Sequence, residues 1–347
     1  MPLVESMPTR DAVVVVDHLS VTFPSDTGSG DVVCDVSFSV APGQRVGLVG
    51  ESGSGKSLTA RAIMQLIPAP GRITGGAIFV GDDPQPSTSE SAKRWRGTRV
   101  AMITQDPLSS LNPLVRIGAQ ITEMLRHHLH ISRVEARGRA LELLSAVGIP
   151  NPPRALRQYP SVLSGGMRQR VALAIAISCN PRLLIADEPT TALDVTIQDQ
   201  VLDLLEKMST EHDSAVLLIS HDLGVVANFC DEILVMYAGR IVESAATDAL
   251  LDDPHHPYTE ALLTSVPSMT QELPERLNSI AGSPPVGGVD VPGCAFAPRC
   301  RLAADPCFEV LPELRQFLDP PRRVACHAAG DPTWPRRRGA PEIKDAS

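Results

Sequence analysis

The chain has 347 residues, 43% of them hydrophobic, which is enough for one large core and a smaller second one. Its 31 Lys and Arg against 40 Asp and Glu leave a net charge of −9, which argues against a broad surface for phosphate backbones and so against nucleic acid as a partner. No apolar window reaches the length of a membrane span, and the N-terminus lacks a basic start followed by an apolar stretch, so the chain is expected to stay in the cytoplasm.

In chain order, short β-branched runs at Val13–Val16, Val32–Val40 and Arg45–Val49 predict strands, separated by turns such as Pro42-Gly43. Gly50-Glu51-Ser52-Gly53-Ser54-Gly55-Lys56-Ser57 follows at once, and a helical pattern from Leu58 to Ile67 is expected to stop at Pro68. Strand, Gly-rich turn and helix are the context that makes this pattern a phosphate-binding loop. The glycines let backbone N–H groups close around phosphates, Lys56 is expected to reach the β- and γ-phosphates, and Ser57 to ligate Mg²⁺.

Strand character returns at Ala77–Val80 and Val100–Thr104, followed by Gln105. Helical stretches at Ile117–His130, Arg133–Val147 and Gly166–Ser178 then predict a helical subdomain inserted between Gln105 and Cys179. His127, His128 and His130 read as a helix surface rather than a metal site. Ser164, Gly165 and Gly166 open the last of these helices, where a hydroxyl and free N–H groups suit an anion.

Leu183–Ala186 and Val216–Ile219 read as buried strands, and strands alternating with helices imply an α/β fold with a mainly parallel, covered sheet. Asp187 and Glu188 stand at the C-terminal end of one of them, the edge where such sheets bind ligands. Asp187 is expected near the Mg²⁺ shell and Glu188 beside the attacking water. Alone, an Asp-Glu pair is an ordinary solvated strand end; the phosphate loop gives it meaning.

From about Pro267 the chain turns rich in Pro and Gly, which predicts a boundary between residues 1–266 and 267–347. Cys294, Cys300, Cys307 and Cys326 lie beyond it, and four thiolates suit either a [4Fe–4S] cluster or a tetrahedral Zn²⁺. Cys34, Cys179 and Cys230 read as core, and Arg336–Arg338 as a solvated tail.

Together the motifs resemble the ABC ATPase family over about Val13 to Arg240: the P-loop at 50–57, Gln105 as Q-loop, Leu163-Ser-Gly-Gly-Met167 as signature, Leu183–Glu188 as Walker B, Asp194 in the D-loop and His221 as switch histidine. The resemblance implies an ABC-type P-loop core with an antiparallel β subdomain and an inserted helical subdomain, plus a small irregular Cys-containing C-terminal region. It implies ATP hydrolysis, with Phe23 against adenine, Leu58 at the phosphates, Gln105 at the Mg²⁺ and the water, and His221 at the γ-phosphate. It also implies head-to-tail pairing of two such domains, so that Ser164, Gly165, Gly166 and Asp194 act at the other subunit's nucleotide.

More narrowly, Gln105–Pro113, Ser164–Arg170, Leu193–Gln198 and His256–Leu263 resemble the ATPase subunits of oligopeptide and dipeptide importers. That implies a paralogous ATPase partner, two membrane permeases, an extracytoplasmic solute-binding protein reached indirectly, and a place on the cytoplasmic face of the membrane. Some tails of this type hold an iron–sulfur cluster, which favours the cluster over zinc at the four cysteines. Related nickel importers share many of these motifs, while a soluble ABC ATPase acting on nucleic acid or ribosomes would want a basic face or a coiled-coil insertion.

Overall fold

The computed structural model of the chain describes residues 12–25, 28–81, 83–84, 92–93, 95–104, 110–189, 195–265, 280–285, 291–331 and 334. Strands β1 (Val14–Ser25), β2 (Gly28–Val40), β4 (Arg72–Val80) and β5 (Asp83–Pro84) make an antiparallel sheet in the order β2-β1-β4-β5. The run expected at Val13–Val16 continues to Ser25 because β2 and β4 pair with both of its edges.

A second sheet has the order β11-β12-β10-β9-β3-β8-β7-β6. Its centre is parallel: β9 (Glu232–Tyr237), β3 (Arg45–Val49), β8 (Ala215–Ser220), β7 (Leu183–Asp187) and β6 (Val100–Ile103). β10 (Arg240–Ala246) then pairs antiparallel with β9, and the hairpin of β11 (Arg315–Leu318) and β12 (Pro321–Val324) extends the same sheet. The sheet of the ATPase core thus runs on into the cysteine-bearing C-terminal region.

β7 and β8 are buried along their whole length. Leu183, Ile185, Leu217 and Ile219 pack toward the antiparallel sheet and α1 (Lys56–Ile63), whereas Leu184, Ala186, Val216 and Leu218 pack against the helices on the other face. A strand covered on both faces needs apolar residues at every position, which is why these runs stand out in the sequence. α1 ends a turn before Pro68, because Gln65 turns left-handed at φ 51° and the Leu66 N–H closes onto Arg61 O.

The insertion consists of α2 (Ile117–Leu129), α3 (Arg133–Ala146), α4 (Pro152–Ala155) and α5 (Gly165–Ile177). α2 buries Ile117, Ile121 and Leu125, and α3 buries Ala136, Ala140 and Leu144, so each helix turns one four-residue stripe inward. Ser132 starts α3 by accepting the Glu135 N–H at 3.2 Å. The remaining helices are α6 (Val195–His212), α7 (Leu223–Phe229), α8 (Thr247–Asp252), α9 (Pro257–Thr264) and α10 (Pro306–Glu309). Among the described residues no helix is long and apolar enough to cross a membrane. Cys179 and Cys230 are buried as expected, but Cys34 is half-buried on β2, where its thiol donates to Asp31 O at 3.2 Å.

Candidate active site

The loop between β3 and α1 is shaped by close approach. Gly50 has φ 151°, and a Cβ there would stand 2.1 Å from Met236 O on β9, so any other residue collides with the neighbouring strand. Gly55 sits left-handed at φ 105° at the start of α1, where a Cβ would press on Met236 and Val32. The Lys56 ammonium is held inside the turn, donating to Gly50 O at 2.7 Å, Glu51 O at 2.9 Å and Ser54 Oγ at 3.3 Å. Burial lowers the Lys56 pKa, opposed by the carboxylates of Glu188, Asp187 and Glu51.

Ser57, at the second position of α1, donates its hydroxyl to Asp187 Oδ1 at 2.8 Å, bridging 130 residues of chain. The two residues expected to share a magnesium ion therefore stand side by side, on α1 and at the end of β7. Burial raises the Asp187 pKa, and the Ser57 hydrogen bond works against that shift. Glu188 follows with a left-handed φ of 49°, its N–H bonded to Ile219 O at 2.9 Å. A non-glycine residue in that region carries backbone strain, which is commonest at functional positions. Glu188 Oε1 lies 3.2 Å from His221 Nδ1. Asp222 accepts the Gly224 and Val225 N–H groups to start α7, which fixes the residue after His221.

Phe23 is half-buried on β1 with its ring against Gly71. Ser164 caps α5, accepting the Met167 N–H at 3.4 Å, and lies exposed with Gly165 beside it and Gly166 half-buried. None of the described hydrogen bonds joins this helix start to the P-loop of the same chain. Gln105 and Asp194 lie outside the described residues, as does Arg336–Arg338. A cavity of about 390 Å³ opens between β6 and the helical insertion, lined by Met64, Met102, Leu111, Met124, His127 and His128 among others.

Two contacts at the P-loop come from Tyr258, within the stretch His256–Leu263 noted only for its family resemblance, and from Arg299; the sequence placed neither at this loop. The Glu51 N–H donates to Tyr258 Oη at 2.7 Å, from 207 residues away. The Glu51 carboxylate accepts from Arg299 Nη1 at 2.6 Å and Nη2 at 2.9 Å, from 248 residues away. Only the shape of the fold brings these residues to the loop.

Cys294, Cys300, Cys307 and Cys326 line one small cavity with His256 and Phe296. Burial pushes the Cys294 thiol up to about 11 and Cys300 to about 12, and raises Cys326 as well. Among the described residues, no group of three or more His, Cys, Asp or Glu side chains is arranged to hold a single metal ion. His256 is 1% exposed and burial lowers its pKa to about 3, so the ring is neutral. Its Nδ1 accepts the Tyr258 N–H at 3.0 Å, which leaves the proton on Nε2, and that buried atom has no hydrogen-bond partner.

A P-loop at the C-terminal end of a central parallel strand, an Asp-Glu pair at the end of β7 two places along the same sheet, an antiparallel subdomain and a helical insertion together define an ABC-type P-loop ATPase. The family of ABC transporter ATP-binding domains matches residues 33–191, and the oligopeptide/dipeptide transporter C-terminal region matches residues 242–307. The oligopeptide transport ATP-binding protein AppD of Bacillus subtilis is 50% identical over 281 residues, 80% of this chain and 85% of that protein. The dipeptide transport ATP-binding protein DppD of Escherichia coli is 46% identical over 328 residues, 93% of this chain and 99% of that protein. Among solved structures, the dimeric ATP-binding cassette MJ0796 in a post-hydrolysis state bound to ADP and Pi superposes with a TM-score of 0.62 at 26% identity, covering 67% of this chain and 98% of that one. The chain belongs to the ATP-binding proteins of the oligopeptide/dipeptide ABC transporters, ATPases that hydrolyse ATP to drive import.

Proposed function

We propose that this chain works on the cytoplasmic face of the cell membrane, paired head to tail with a paralogous ATPase and seated under two permeases that receive di- or oligopeptides from a solute-binding protein. The observation that carries the residue assignments is the meeting of Ser57 with Asp187 at 2.8 Å, beside Glu188 and His221 at 3.2 Å. Gly50 to Leu58 hold the phosphates, with Lys56 turning its ammonium from the loop carbonyls to the β- and γ-oxygens. Ser57, Asp187 and Gln105 hold Mg²⁺, which neutralises charge on the phosphates. Glu188 orients the attacking water, His221 supports the γ-phosphate side, and Phe23 stacks on adenine. Ser164, Gly165, Gly166 and Asp194 serve the nucleotide bound by the partner subunit, in keeping with the exposed start of α5.

Closure around two nucleotides supplies the difference in binding energy that moves the permeases; shifting a two-state equilibrium from 1:99 to 99:1 takes about 5.5 kcal/mol. The cavity between β6 and the helical insertion is the seat for the cytoplasmic segment of a permease. The chain divides into an ATPase domain at 1–266, with a helical subdomain over about 105–179, and a C-terminal region at 267–347. In that region Cys294, Cys300, Cys307 and Cys326 would hold a [4Fe–4S] cluster, in keeping with four cysteines that line one cavity. The unpartnered His256 Nε2–H fits such an occupant, since a thiolate or sulfide sulfur would accept its proton.

The test is co-purification with two permeases and a second ATPase, followed by ATP-dependent uptake of a labelled dipeptide and a labelled pentapeptide into vesicles. Uptake of peptide that stops in Glu188→Gln supports the proposal. Uptake of Ni²⁺ with no peptide uptake would move the chain to the nickel importers, and stable assembly on ribosomes or DNA without permeases would refute transport.

A further inference from the structure

The C-terminal region reaches the P-loop through buried, charge-assisted contacts. The Arg299 side chain is 5% exposed and forks onto both oxygens of Glu51, an arrangement stronger and more directional than a single hydrogen bond. The rest of its guanidinium is also taken: Nη1 donates to Tyr237 Oη at 3.2 Å, Nε to Ala281 O at 2.8 Å and Nη2 to Ile280 O at 3.2 Å. Arg299 therefore has one geometry, and it immediately precedes Cys300 in a single helical turn at Ala297–Arg299. On the backbone side, Tyr258 holds the Glu51 N–H, and its own N–H is tied to His256 Nδ1. Tyr258, Tyr237 and Phe296 pack ring against ring, at centroid separations of 4.6 and 5.3 Å from Tyr258.

His256, Phe296 and Cys300 all line the cysteine cavity. One residue of the phosphate loop is thus gripped by its carboxylate and by its N–H, and both grips end in the wall of that cavity. We infer that the cysteine module positions the phosphate loop: Arg299 and Tyr258 are positioning residues that fix Glu51, and filling the cavity tightens their hold and so the affinity for nucleotide. The inference rests on the reading of residues 50–57 as the phosphate loop and of the four cysteines as ligands. The sequence of contacts supplies its physical path. An occupant bound by Cys294 and Cys300 fixes the turn bearing Phe296 and Arg299, and one accepting from His256 Nε2 fixes the start of α9 with Tyr258.

The experiment is titration of a fluorescent ATP analogue onto the full-length chain, once as stripped protein and once after anaerobic loading with ferrous iron and sulfide. Loading is expected to tighten binding by the wild-type chain about threefold, and Arg299→Gln is expected to weaken binding by the loaded chain about three- to tenfold. In Arg299→Gln, loading then changes the affinity less than in wild type although iron uptake is normal, which a merely structural contact would not produce. Tyr258→Phe removes one hydroxyl, keeps the ring in its cluster and repeats the test if Arg299→Gln fails to fold. Equal affinity in wild type and both variants, or an equal response to loading in all three, overturns the inference. So does a wild-type chain whose affinity is indifferent to the metal. Lys56→Ala separates the two readings: if it too binds like wild type, the phosphate-loop assignment is at fault, and if it alone loses binding, only the brace is.

Discussion

Lys56 spends its three donors on the loop that carries it, so taking up a triphosphate exchanges carbonyl and hydroxyl partners for anionic oxygens without exposing the ammonium to solvent. Removing it should cost binding first: in Lys56→Ala, equilibrium titration should show nucleotide affinity reduced by at least about tenfold, the scale of a lost charge-assisted contact. Glu188 differs because its proposed role is to orient the attacking water rather than to hold the nucleotide. Glu188→Gln should keep affinity within about twofold and slow steady-state phosphate release by roughly 10²–10⁴, the usual range for a general base; turnover near wild type would remove it from that role. Gly50 is a third kind of residue, chosen for what it lacks. With a Cβ 2.1 Å from Met236 O, Gly50→Ala must displace the loop or β9, and both nucleotide affinity and melting temperature should fall. Sequence spacing pointed to these three residues, since a P-loop and a strand-end acidic pair are local patterns. It could not point to Tyr258 and Arg299, because their contacts with Glu51 close loops of 207 and 248 residues.

At the level of elements, legibility followed burial. β3, β7 and β8 lie in the middle of the sheet, and their uninterrupted apolar runs matched the expected bounds to within a residue or so at each end. The hairpin of β11 and β12 carries sequences such as Arg-Gln-Phe-Leu with little burial, and it owes its strand form to pairing with β10 rather than to pattern. The parallel centre is pinned at one end by Arg45, which donates to Asp231 Oδ1 at 2.8 Å and Glu206 Oε1 at 2.9 Å. Burial alone would raise the Asp231 pKa, but the Arg45 hydrogen bonds prevail and lower it. Its folded pKa thus lies below the unfolded value of about 3.9, so the stabilisation is complete above that pH and is lost as pH falls through the folded value. With the side chain 45% exposed, screening limits the effect to about 1 kcal/mol or less. Asp231→Asn should lower the melting temperature by about 2 °C at pH 7, and the gap from wild type should narrow as pH falls below the unfolded value of about 3.9. A gap that persists there would mean the loss is one of packing.

At the scale of the whole molecule, the C-terminal region joins the ATPase core at the sheet edge, at the P-loop and around a cavity. The buried pair of Glu243 and Arg322 shows how closely the parts are knit: Glu243 on β10 accepts the His255 and His256 N–H groups at 2.8 and 2.9 Å, while Arg322 comes from β12. That seam fixes the loop whose histidine faces the cysteines. Burial raises the thiol pKa of Cys294, Cys300 and Cys326, so these groups gain nothing from ionising in an apolar setting, and the gathering of four cysteines around one cavity is best explained by an occupant that makes thiolates favourable. Chain purified without oxygen should therefore contain about four irons and four sulfides with a broad absorption near 400 nm. Cys300→Ser should lower the iron content and, through the turn that carries Arg299, the affinity for nucleotide as well. One zinc per chain with no visible band would assign the cavity to an ion, and metal-free protein of unchanged melting temperature would leave the cysteines as core. The cluster would make the C-terminal region a part of the nucleotide site's support, since the residues that wall it also hold Glu51.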